Sequence, residues 1–247
     1  MRKTSLAIYG ILAVLVTGYT SSPSIQSPHH LTASRSLASE ILLAHPADFA
    51  EPGGDLPAIG KWMLDSHGEI AHWLGMEFNS HRINEPINII IRVKAADPES
   101  ANRKLLSAAS AAGFENRKGH STGYSAYLND GIVPQFDAMP DHAFSDAYYL
   151  LSNNHGRIFG PVLWQGSFLY VAAFSRESVH LIDKLLGKSA HMHIYSSFNQ
   201  ARDQFASQMA RQGGATIAAS VPLDNALPEN PTDTTGDHDG QAILLDL

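Results

Sequence analysis

The chain has 247 residues, 44% of them hydrophobic, with a formal charge of −7 and an isoelectric point near 6.0. That is enough apolar material for one sizeable core, and the lack of a basic excess argues against a nucleic-acid partner. With no cysteine at all, disulfides, zinc–thiolate centres, cysteine nucleophiles and a cysteine-linked lipoprotein anchor are excluded.

Arg2 and Lys3 precede an apolar run over residues 6–19, followed by "TSS". A positive start, a short apolar stretch and small residues form the pattern of a secretory signal peptide over residues 1–22. A mature membrane span needs roughly 20 apolar residues, so this run is short; the alternative is an uncleaved anchor. Either way the pattern predicts a periplasmic or secreted chain with no stable membrane span after cleavage. Residues 23–55, rich in Ser, Pro, His and Gly, read as a flexible tether, with a short helix over residues 35–44.

In the segment from Leu56 to Gly75, Ile59, Trp62, Met63, Ile70, Trp73 and Leu74 recur at helical intervals, with Pro57 placed for a first turn. The spacing predicts an amphipathic helix. "EPINIIIRV" (85–93) is dominated by β-branched residues and predicts a central strand. A helix should follow from Asp97 as cap, with Pro98 just inside and Gly113 at the exit.

Residues 119–129 read as a further strand and residues 130–142 as a loop. A run of strands follows over residues 144–177, with "WQGS" (164–167) as a hairpin turn. "SRESVHLIDKLLG" (175–187) predicts a short helix capped by Ser175 or Ser178. "HMHIY" (191–195) predicts a strand. The helix after it should bury Phe198, Ala201, Phe205 and Met209, and "ATIAASV" (215–221) should form an edge strand. Residues 222–247 read as a disordered acidic tail. The expected architecture is α+β: one domain over residues 56–221, with a mixed or antiparallel sheet covered by helices on one face.

Three stretches carry candidate chemistry. Side chains alternate along a strand, so His191 and His193 would share a face and could give a metal two imidazoles. His120, His155 or Asp203 could supply a third ligand. The bland alternative is one buried, hydrogen-bonded histidine beside a surface one.

In "NNHGRIFG", His155 and Arg157 are also two apart. Arginine presents a fork to phosphate or carboxylate, and histidine trades a proton near neutral pH. Arg202 and Asp203 stand early in the last helix; they could orient a histidine, or serve only the helix. His120 and Thr122 form one His-x-Thr motif of the kind that two-histidine phosphoesterases use twice, on equivalent strands; on the late histidine strand "HIYS" has the wrong spacing and "HMH" lacks the hydroxyl. P-loop and His-Glu-x-x-His motifs are absent, and the sequence leaves the cofactor unknown.

The order of these motifs over residues 85–212 resembles a bacterial domain family named for the C-terminal domain of LssY, a type I secretion component. His155 and Arg157 match its His-x-Arg strand. His193 or His191 matches its late histidine, and Arg202 and Asp203 match its terminal Arg-Asp. Asn154 and Phe159 depart from the family's His and Trp, and Asn199 and Ala201 from its two acids. The resemblance implies a shared fold and pocket rather than a reaction.

Two functions follow as expectations. The first is a non-catalytic binding or accessory protein of the envelope, partnered with an envelope or secretion-system protein. The second is an exported hydrolase of phosphate esters or other anionic envelope molecules. In the hydrolase, His155, His193 and Asp203 would be catalytic, Arg157 and Arg202 would bind the anion, and His191 and His193 could hold a metal.

Overall fold

The computed structural model describes residues 49–78, 81–137, 139–179, 193–227 and 237–247. The chain is broadly α+β and, among the described residues, mostly sheet with two long helices. In chain order the strands are β1 (Phe49–Ala50), β2 (Ile59–Gly60), β3 (His72–Phe78), β4 (His81–Asn84) and β5 (Ile89–Val93), followed by helix α1 (Pro98–Ala111). Then come β6 (Glu115–Lys118), β7 (Ser125–Leu128), β8 (Gly131–Pro134), β9 (His142–Ser145), β10 (Asn153–Trp164), β11 (Ser167–Val179) and β12 (His193–Ser197). Helix α2 (Phe198–Arg211), β13 (Thr216–Pro222) and β14 (Gln241–Asp246) complete the order.

The large sheet runs β13-β14-β5-β11-β10-β9-β6, with β12 paired to the far end of β11. It is mixed, because β14 lies parallel to β5 while the other pairs are antiparallel. A smaller sheet runs β1-β2-β7-β8.

The triple isoleucine of β5 is apolar on both sides because both sides are buried. Ile89, Ile91 and Val93 share a cluster with Leu105 and Ala109 of α1, Phe205 and Met209 of α2, and Tyr170 and Phe174 of β11. Ile90 points the other way. It joins Phe159, Leu169 and Val171 against Ile59, Ala126 and Leu128 of the smaller sheet. Phe205 stacks on Phe174 at 4.1 Å and meets Phe114 edge-on at 5.0 Å. Truncation of such a ring to alanine typically costs about 3–5 kcal/mol.

Local chemistry sets the element ends. Asp97 caps α1 by accepting from the Ser100 amide at 2.6 Å, and Gly113 leaves the helix at φ 84°. Ser197 caps α2 in the same way, through the Gln200 amide. The β10–β11 hairpin closes on Gln165 and Gly166, both at positive φ, which suits the twist of the flanking strands.

Five expectations are corrected. The segment from Leu56 to Gly75 is not a helix. Asp65 accepts from the amides of His67 and Glu69, and Gly68 takes φ 80°. That tight turn splits the segment into bridge-forming and strand pieces.

Residues 175–179 continue β11, so Ser175 and Ser178 are ladder residues opposite His155 and Ile194, not helix caps. Residues 180–192 of the proposed helix and strand, His191 included, lie outside the described residues, as do the signal peptide and most of the tether.

The tether's last residues pair as β1. The predicted loop over residues 130–142 contributes β8.

The tail is the largest correction. Its last six ordered strand residues enter the large sheet between β13 and β5, with Ala242, Leu244 and Leu245 buried. Among the described residues, no helix is long and apolar enough to cross a membrane.

Candidate functional site

β10 carries Asn153, His155, Arg157 and Phe159 on one face, because alternate residues of a strand point the same way. Phe159 belongs to the cluster shared with the smaller sheet, so His155 and Arg157 are buried on that side, at 1% and 5% exposure. Gly156, between them, is a packing residue. A Cβ there would lie 2.5 Å from the Phe174 ring.

The Asn153 amide nitrogen donates to the Leu151 carbonyl at 2.8 Å, which turns its oxygen toward His155 Nδ1 at 3.0 Å. His155 therefore carries its proton on Nδ1 in that bond. Its Nε2 faces a Glu177 carboxylate oxygen at 3.7 Å. The ring of His120 stacks on that of His155 at 4.5 Å. Ser175, opposite His155 on β11, is buried with a hydroxyl that has no hydrogen-bond partner among the described residues.

Arg157 sits under the loop between β6 and β7. Its Nε and Nη2 donate to the Ser121 carbonyl and hydroxyl at 3.2 and 3.0 Å, and its guanidinium lies 4.8 Å over the Tyr124 ring. All these partners are neutral, and Arg157 makes no ion pair among the described residues. A buried cation without a counter-charge is costly, and among the described residues no carboxylate offsets this one.

Arg202 has a different environment. From α2 it donates to both Asp239 oxygens, to the Gln241 carbonyl at 2.8 Å, and to Asp203 at 2.7 Å. Burial works against its charge, but the two carboxylates outweigh that and hold its pKa above the ordinary value. Asp239 is pushed up by burial and pulled down further by Arg202, so its carboxyl lies below the usual range. His238 is buried beside them. Its Nε2 is bonded to Asn225 Oδ1 at 3.1 Å, and burial, reinforced by the charge of Arg202, brings its pKa down to about 4. Asn225 Nδ2 in turn donates to the carbonyls of Lys61 and Ile87. These residues fasten the C-terminal strand to α2, and the arginine has no fork left for a ligand.

The proposed residues therefore divide. His155 and Arg157 stand together, with His120 brought to them. Arg202 and Asp203 belong to the C-terminal clamp, where Asp203 touches an arginine rather than a histidine. The register puts His193 opposite Val179, four residues along β11 from the partner of His155. That is ~13 Å of strand at about 3.3 Å per residue. The two histidines also flank opposite edges of β11, so the backbone does not bring them to one reacting atom. Among the described residues, no group of three histidine, aspartate or glutamate side chains could hold a metal ion.

Ser121, Tyr124, Asn225, His238 and Asp239 went unread in the sequence. They sit in loops or in the C-terminal segment, and no spacing links them to β10 or α2. No family model matches the chain, nor does any curated protein or solved structure.

Proposed function

We propose that the chain is a non-catalytic binding protein of the bacterial envelope, periplasmic or secreted, and that it takes an oxyanion on Arg157. The reading keeps the resemblance to the LssY C-terminal domain family as a guide to fold, with the two helices covering one face of the large sheet. One observation carries it: Arg157 is buried, is held only by Ser121 and Tyr124, and has no carboxylate partner among the described residues. The depth of His155 and the engagement of Arg202 by Asp203 and Asp239 favour binding over turnover.

The test is calorimetry with inorganic phosphate and citrate on wild type and Arg157→Gln, beside an ester-hydrolysis panel. Binding lost in Arg157→Gln, with no turnover, is the expected result. Absence of binding in the wild type would overturn the reading.

A second reading, a hydrolase of phosphate esters, draws on the polarised His155, set between Asn153 and Glu177. It requires turnover that disappears in a folded His155→Asn variant.

A further inference from the structure

We infer that the oxyanion on Arg157 is the headgroup of an amphiphile, an anionic membrane lipid, whose apolar part meets the loop between β9 and β10. This rests on the oxyanion reading above and names its ligand class.

That loop spells Ala147-Tyr-Tyr-Leu-Leu-Ser152. Tyr148, Leu150 and Leu151 are 51%, 44% and 59% exposed. Single exposed apolar residues need no explanation, but three within four residues mark an interaction surface. The backbone beneath them is tied down. Ser145 Oγ donates to the Ala147 carbonyl at 2.7 Å, the Leu151 amide to the Tyr148 carbonyl at 2.8 Å, and Asn153 to the Leu151 carbonyl at 2.8 Å. The side chains are thus held outward by a fixed loop.

The loop borders the anion site on two sides. Asn153, which holds its end, also holds His155. Tyr149 lies so close to Gly119 that a Cβ there would fall 2.3 Å from its ring. Gly119 opens the stretch whose Ser121 grips Arg157. An apolar tip and a buried cation therefore share one rim, which matches a molecule with an anionic head and an apolar body.

Tyrosine settles at a bilayer's interfacial layer, and leucine beside it buries into the headgroup–acyl boundary. Among the described residues, no helix can cross a membrane, so attachment would be shallow. With a formal charge of −7, long-range attraction to an anionic surface is not the driver. Binding should persist at high salt, because inserted apolar side chains and a buried guanidinium are poorly screened.

The test compares full-length wild type, the double variant Leu150→Glu/Leu151→Glu, and Arg157→Gln, so that any contribution from residues 6–19 cancels. Sedimentation is measured with vesicles of phosphatidylcholine alone and with added phosphatidylglycerol; thermal shift is measured with inorganic phosphate.

The leucine variant should lose vesicle partitioning by at least about tenfold, two inserted leucines having gone, and keep its response to phosphate. Arg157→Gln should lose both that response and the preference for phosphatidylglycerol. A phosphate response without vesicle binding, or vesicle binding indifferent to the leucine pair, overturns this inference and leaves the oxyanion reading standing. No phosphate response in the wild type overturns both.

Discussion

Arg157 and Arg202 are equally deep in the protein, yet they are opposite kinds of site. Arg202 is met by two carboxylates and a backbone carbonyl, so its charge is settled within the fold and its work is to hold β14 and α2 together. Arg157 is met by a hydroxyl, a carbonyl and an aromatic ring, and by no carboxylate among the described residues. Residue type and burial are the same; the sign of the neighbours separates a fastening from the site proposed to take an anion.

The sharpest way to break this comparison is pH. The pKa of His238 falls from an ordinary 6.5 to about 4 on folding, so the unfolded chain takes up its proton first. Stability is full above pH 6.5, falls as pH drops toward 4, and levels off below. The loss is about 3 kcal/mol from this group. Urea unfolding between pH 7 and pH 4 should show that slope, and a folded His238→Asn variant should flatten it. An unchanged slope would mean that His238 is not the buried neutral group of the clamp.

Next in size is Arg202→Met at pH 7. It strands two carboxylates that are themselves partly exposed, so the cost should be about 2 kcal/mol, below that of a fully buried broken pair. Hydrogen exchange should open first in β14, the strand the clamp holds. Uniform exchange across the sheet would refute the fastening role.

Arg157→Gln should behave in the contrary way. Stability should move by no more than about 1 kcal/mol in either direction, because a buried charge without a counter-ion contributes little to the empty protein. The response to phosphate should vanish. A large loss of stability at this position would make Arg157 a second structural arginine and erase the distinction.

Asp203→Asn is the smallest change. Its carboxylate is 59% exposed, and such a pair is worth about 0.2–1 kcal/mol. A loss well beyond that would return Asp203 to the list of functional residues.

How much was legible differs by element. Helix α1 could be read to its ends, because Asp97, Pro98 and Gly113 are each suited to one place on a helix. The buried stripe of α2 and the Gln165–Gly166 hairpin were legible for the same reason: periodicity and turn chemistry are local. The segment around Asp65 misled because its apolar spacing fitted a helix, while "DSHG" carried the stronger signal, an aspartate able to cap its own turn. Strand β14 was hidden because six residues after a polar stretch are too few for a pattern. They are a strand only because β5 and β13 leave a place for them. Within the site, the pairing of His155 with Arg157 was visible as i and i+2 on a strand, whereas the partners of each were not.

The sequence by itself determined the lack of cysteine chemistry, the central isoleucine strand, both long helices and the nearness of His155 to Arg157. All of these rest on composition or on spacing within one element. Only the tertiary structure decided that β14 completes the large sheet, that His193 lies away from His155, and which arginine meets carboxylates among the described residues. Those outcomes depend on which distant segments meet, and burial raises the cost of any charge such a meeting leaves unpaired.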